Sequence, residues 1–143
     1  MIEFRLRDHL AADTNVAAIV GTRIHPVRIP RMDNAYDNSP CLTYRRKTGG
    51  RDHYVSGASG HPRPVFEIAL WSQSYDSAKL AAQAVRQAMD GFSGTFTDVT
   101  VKVCKAIDEE DGFIRPEDGS DDGWFVVRLD YEIMYVEDIP TFA

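Results

Sequence analysis

Two charged clusters carry most of the chemistry this sequence could do. Arg45-Arg46-Lys47, with Arg51 nearby, is a short basic run beside Tyr44 and Tyr54, and Asp108-Glu109-Glu110-Asp111 is a run of four carboxylates. Paired carboxylates serve acid–base catalysis, as in a small carboxylate-dependent hydrolase, when a cleft holds them at shifted pKa. Four in a row at a strand end are more often solvated surface. Basic and aromatic residues together suit a single nucleic-acid strand. This run is short and the chain is acidic, so the expected contact is at most a transient one with passing DNA.

Other candidates fare less well. Asp118-Gly119-Ser120-Asp121-Asp122-Gly123 spaces oxygen ligands like the start of an EF-hand loop, but Leu129 stands where the bidentate glutamate belongs. Calcium binding at Asp118–Asp122 is left open. Cys41, Cys104, His9, His25, His53 and His61 form no C-x2-C or H-x3-H pair, so no zinc site is expected. Gly57-Ala58-Ser59-Gly60-His61 has His61 where a nucleophile elbow needs glycine, and no phosphate-cradling glycine motif occurs. The expectation is no catalytic residue, no cofactor and no metal.

The 143 residues carry 16 Lys+Arg against 22 Asp+Glu, a net charge of -6, with 43% hydrophobic residues. That length suits one domain, residues 1–143, able to bury roughly 68–70% of its unfolded surface without a disulfide or metal. An acidic chain is a poor bulk binder of nucleic acid or anionic membrane. No apolar run approaches the roughly 20 residues of a membrane span, and Met1–Asp8 does not read as a signal peptide. Two cysteines without an export signal are expected to be free thiols. The charge is also uneven: residues 1–63 sum to +4 and residues 64–143 to -10. Two solvated loops would explain this; so would a dipolar subunit that binds copies of itself head to tail.

Periodicity supplies the elements that must position these clusters. Leu6, Leu10, Val16, Ile19 and Val20 place a helix over residues 2–20, with Asp13-Thr14 able to break it in two. Asp76–Met89 is the clearest helix, with Asp76 or Ser77 as its cap and an alanine-rich stripe suited to close packing on a sheet. Cys41–Lys47, Val65–Trp71, Val99–Ile107 and Trp124–Val136 alternate as strands. In the last, Phe125, Val127, Leu129, Tyr131, Ile133 and Tyr135 face one way, and Arg128, Asp130 and Glu132 the other. Arg23–Pro26 is extended. Long loops are expected at about 27–40, 48–64 and 108–123. The fold class is α+β: a mostly antiparallel sheet of four to five strands with two helices packed on one face.

The sequence as a whole resembles the tail completion proteins (tail terminator, or tail-to-head joining, proteins) of long-tailed bacteriophages. The resemblance rests on a helix ending in Val16-Ala17-Ala18-Ile19-Val20-Gly21, then Arg23-Ile24-His25-Pro26, where the family commonly has tyrosine at the histidine position. It continues through Pro40-Cys41-Leu42-Thr43-Tyr44, the junction from Phe66–Trp71 into Asp76–Ala81, and the aromatic-rich strand Phe125–Tyr135. The acidic stretch Asp108–Asp122 has no counterpart in that pattern. The resemblance implies a non-enzymatic virion protein, assembled in the host cytoplasm, that forms a ring of hexameric size at the head-proximal end of the tail. Its partners would be itself, the tail-tube protein and the head connector protein, with no membrane. The ring would stop tube polymerisation and join tail to head. The rival readings are another head–tail adaptor and the small hydrolase. Arg45, Arg46, Lys47 and Arg51 against Asp108, Glu109, Glu110 and Asp111 are the expected interface charges.

Overall fold

The computed structural model describes residues 2–28, 40–49, 53–54, 57–58, 60, 62–96, 98–114 and 123–137. Helix α1 spans Ile2–Ala12 and buries Ile2, Leu6 and Leu10, which recur every four residues and so share one face. Helix α2 spans Thr14–Val20. The break between them is made by Asp13. Its backbone is extended, and its carboxylate accepts the N–H groups of Asn15 and Val16, both at 3.0 Å. Asp13→Ala removes this cap and is expected to cost about 1 kcal/mol, read as a lowered urea midpoint at unchanged slope.

Strand β1 (Ile24–Pro26) then pairs in parallel with β2 (Cys41–Thr48). A short antiparallel ribbon follows, β3 (His53–Tyr54) on β4 (Gly57–Ala58). Strand β5 (Val65–Ser72) leads into helix α3 (Tyr75–Met89), whose cap is Ser74, accepting from Ser77 N–H, rather than Asp76 or Ser77. Strands β6 (Gly94–Phe96), β7 (Val99–Ile114) and β8 (Trp124–Tyr135) complete the chain. The main sheet has six strands in the order β1-β2-β5-β8-β7-β6.

The fold class α+β therefore stands, and the main sheet is mostly antiparallel, but its details differ from expectation: six strands rather than four to five, one parallel pair (β1 with β2) that makes the sheet mixed, and three helices rather than two. The extended segment expected at Arg23–Pro26 is β1; the extra strand is β6, three residues long and too short to show alternation. The extra helix comes from the Asp13 cap. The expected loop at 108–123 is also corrected, because β7 continues through the acidic run to Ile114. Each acid there lies opposite a β8 residue, from Asp108 against Asp130 to Asp111 against Val127, so the strand is held by backbone pairing that side-chain composition does not reveal. Of the expected loop at 48–64, Thr48 belongs to β2, the carbonyls of Pro62 and Pro64 accept N–H groups from β8, and that of Gly60 accepts from Glu137 just beyond it. Arg51, Ser59, His61 and Asp118–Asp122 lie outside the described residues.

The helices cover one face of the sheet. Leu42 and Tyr44 of β2, Phe66, Ile68 and Leu70 of β5, and Val127, Leu129, Tyr131, Ile133 and Tyr135 of β8 form one core with them. Ala81, Ala82, Ala84, Val85 and Ala88 of α3 are buried in it; their small side chains bring the helix close to β5 and β8. The opposite face carries Arg128, Asp130 and Glu132, as alternation requires, and also a small apolar cluster of Cys41, Trp71 and Trp124.

Candidate functional site

The two charged clusters lie on opposite sides of the sheet's middle. On β2, alternation sends Arg45 and Lys47 to the helix-free face and Arg46 to the helix face. Each finds an acid of its own chain. Arg45 makes a two-pronged contact with Glu67, Nε to Oε1 at 3.1 Å and Nη2 to Oε2 at 3.2 Å. Arg46 donates to Glu3 Oε1 at 2.7 Å and lies over the Phe66 ring at 5.4 Å. Lys47 donates to Asp130 Oδ2 at 2.8 Å. The hydrogen bonds they donate to Glu67 and Asp130 hold the pKa values of Arg45 and Lys47 above their ordinary values, so both remain cations. None of the three is a free charge awaiting a partner.

The carboxylate run is split by the same alternation. Glu109 and Asp111 point to the helix face. There Tyr75 Oη donates to Asp111 at 2.6 Å and Lys79 Nζ at 3.1 Å. Lys79 and Arg86 also approach Glu109 at 3.7 and 3.9 Å. The Tyr75 hydrogen bond, then Lys79, hold the Asp111 carboxyl below its ordinary value. Asp108 and Glu110 point to the other face and have no ion pair among the described residues; Asp108 accepts only from the N–H of Glu109. Across the strand, Asp108 meets Asp130, and Glu110 meets Arg128.

The register carries these charges across the whole sheet. Arg45, Glu67, Asp130 and Asp108 stand in one row, and Thr43, Ala69, Arg128 and Glu110 in the next. Trp71 donates to Thr43 Oγ1 at 2.9 Å, and the Arg128 guanidinium lies 5.9 Å from the Trp71 ring centre. The helix-free face is thus apolar toward Cys41, Trp71 and Trp124 and charged toward Lys47 and Lys105. At the apolar end β7 and β8 approach so closely that a Cβ on Gly123 would lie 2.5 Å from the Ile114 carbonyl oxygen; only glycine fits there.

Strand β7 is also an open edge. Strand β6 pairs only with Val99–Val101, and the N–H and carbonyl of Cys104 are taken by Phe92 and Gly91. From Lys105 to Ile114, no strand pairs with its outer side among the described residues. Ile107, Phe113 and Ile114 are exposed along it. The hydrogen bonds from α3 hold this edge in place from one face. Glu3, Glu67 and Asp130 as partners of the basic run, and Tyr75, Lys79 and Arg86 as holders of the acidic one, were not singled out by the sequence; each is set by register between distant segments.

As catalytic equipment the arrangement is poor. The carboxylates lie along an exposed strand, not in a cleft, and among the described residues no three His, Cys, Asp or Glu side chains group as metal ligands. No helix of the described residues is long and apolar enough to cross a membrane.

The chain superposes on a chain from the virion of a native gene transfer agent particle with a TM-score of 0.68, at 20% identity, over 93% of this chain and 92% of that one. That likeness establishes a shared fold. No curated protein sequence matches. The family model for tail completion protein gp17 matches residues 5–136, nearly the whole length, and the chain therefore belongs to the tail completion protein gp17 family of structural proteins of the virion tail.

Proposed function

We propose that this chain is a single-domain subunit of a closed ring, of hexameric size, that caps the head-proximal end of the tail tube. One face of the ring copies the interface a tube subunit would offer. The other accepts no further tube subunit, so polymerisation stops, and it docks the head connector protein instead. The ring forms in the host cytoplasm, and DNA passing through it makes only transient contact. The observation that carries this reading is the long open edge of β7 in a chain of the tail completion family: an edge strand with exposed apolar residues and unmatched acids is a surface for other chains. The occurrence of the same fold in a phage-like virion particle supports it.

The charges at 108–111 are one side of the contact between copies in this reading. Arg45, Arg46 and Lys47 each hold an acid already, so their part is to share those partners with a neighbour; Arg51 belongs to the same basic side. A head–tail adaptor at another level of the particle is the alternative, and no catalytic step is assigned. The test is to let purified tail-tube subunits polymerise with and without this protein. Tubes of limited length, each bearing a ring at one end in negative stain, are expected. Tubes that grow unchanged while this protein stays unbound would sink the reading. Sedimentation should shift toward monomer as salt rises, because the Debye length falls from about 10 Å at 0.1 M to about 3 Å at 1 M.

A further inference from the structure

We propose that copies join head to tail by laying the β1 edge of one subunit against the open β7 edge of the next. The proposal rests on the ring reading above and names the surface that builds it. Once the ion pairs among the described residues are set aside, the two edges of the sheet are left with opposite net charge: on the open stretch of β7, Asp108 and Glu110 outnumber the single unpaired cation, Lys105, while the β1 edge carries only arginines. At the β7 edge, Asp108 and Glu110 have no cationic partner in an ion pair among the described residues. At the β1 edge, Arg28 is exposed and makes no ion pair among the described residues, and the Arg23 guanidinium bonds only carbonyls, those of Pro40 and Ile19. Residues 14–32 contain three arginines and no acid.

Direction and level agree with this pairing. β1 runs parallel to β2, and β2, β5, β8 and β7 alternate in direction, so β1 and β7 are antiparallel. Copies set side by side with their helices on the same face therefore meet in the antiparallel sense. The register carries Ile24, His25 and Pro26 across the sheet to the level of Asp111, Glu110 and Glu109. His25 of one copy then stands beside Glu110 of the next on the helix-free face, and Arg28 lies toward Asp108. Leu42 N–H bonds Arg23 C=O, and Val27 N–H bonds Tyr44 C=O. By alternation Ile24 turns its N–H and carbonyl to the side on which no strand pairs with β1 among the described residues, enough for one antiparallel residue pair; Pro26 has no N–H and limits the pairing there.

The β1 edge also ends in a strained, exposed turn. Val27 is 67% exposed at φ 66°, and Arg28 N–H closes the three-residue turn on Pro26 C=O at 2.7 Å. A β-branched residue at positive φ is an outlier of the kind found at functional positions. Ile107, half exposed on β7, is the matching apolar group on the other edge. A two-fold contact of β7 with β7 is disfavoured, because it would set four acids against the same four.

Two variants test the contact. Neighbouring residues in an antiparallel pair have Cα atoms about 4.5–5.5 Å apart, within reach of a disulfide. The double variant His25→Cys/Glu110→Cys, oxidised after assembly, should give a ladder of covalent oligomers ending at the ring size; neither single variant should. Asp108→Lys/Glu110→Lys should raise the concentration for half-assembly by at least about tenfold, and adding Arg28→Glu should restore much of it, with circular dichroism unchanged throughout. Rings that form normally, give no cross-links and ignore the charge reversal would overturn this contact while leaving the ring intact. A wild-type chain that stays monomeric at high concentration and low salt would overturn both.

Discussion

Phe66→Ala should remove about 3–5 kcal/mol of stability. Phe66 is fully buried in β5, between β2 and β8. It sits level with Arg46 on one neighbour and Tyr131 on the other. Truncation leaves a cavity in the middle of the sheet, where strands paired on both sides restrict collapse. It also removes the ring beneath the Arg46 guanidinium, and with it the packing that orients Arg46 toward Glu3. A domain of this size has about 5–15 kcal/mol in all, so the loss is roughly a fifth or more of it. The urea midpoint should fall with little change in slope, and assembly should fail in proportion to the unfolded fraction. A loss below about 1 kcal/mol would mean that the core repacks around the gap.

What the sequence made legible was what local pattern encodes. The alternation of Phe125 to Tyr135 placed a strand with the correct face buried, and the alanine stripe of α3 placed a helix close against it. Asp13 was visible as a cap because capping is a local act of one side chain on the next two or three N–H groups. The misses share one physical cause. β1 is three residues long and parallel to β2, a pairing decided by what lies beside it in space. The acidic run looked like a loop because carboxylates have low strand propensity, yet twelve register partners hold β7 to β8, and tertiary pairing overrides propensity. The candidate site was half legible for the same reason. Both charge clusters could be found by counting. That Arg45, Arg46 and Lys47 are already matched depends on Glu3, Glu67 and Asp130, which lie 43, 22 and 83 positions from their cations, and that Asp108 and Glu110 make no ion pair among the described residues depends on the face to which β7 turns them.

Alkaline pH should unfold this protein well before it disturbs the ion pairs. Burial pushes the Cys104 thiol from 9.0 up to about 12. It pushes Tyr131, its near neighbour in the core, from 10.0 to about 12, with smaller contributions from Asp90 and Glu109. Burial also raises Tyr44 and, with help from Glu137, Tyr135. All four shifts have the same sign. Below pH 9 these groups are protonated in both states, and their stabilising contribution is fully present. Above pH 9 the unfolded chain releases the thiol proton while the folded chain keeps it, so stability falls as pH rises. The tyrosines add to the fall above pH 10, and it levels off only near pH 12. A difference of three pKa units at Cys104 corresponds to about 4 kcal/mol, and two at Tyr131 to about 3 kcal/mol, together comparable with the whole stability of an ordinary domain. Urea midpoints measured from pH 8 to pH 11 should therefore drop steeply. Cys104→Ala should start lower at pH 8 but lose less between pH 9 and pH 10, and Tyr131→Phe should flatten the curve above pH 10. The same shift makes the folded Cys104 thiolate about a thousandfold scarcer at pH 8 than in the unfolded chain, so alkylation of Cys104, followed by mass spectrometry, should track unfolding. A midpoint that stays level to pH 11, or rapid labelling of Cys104 in the native state, would show that water reaches this part of the core.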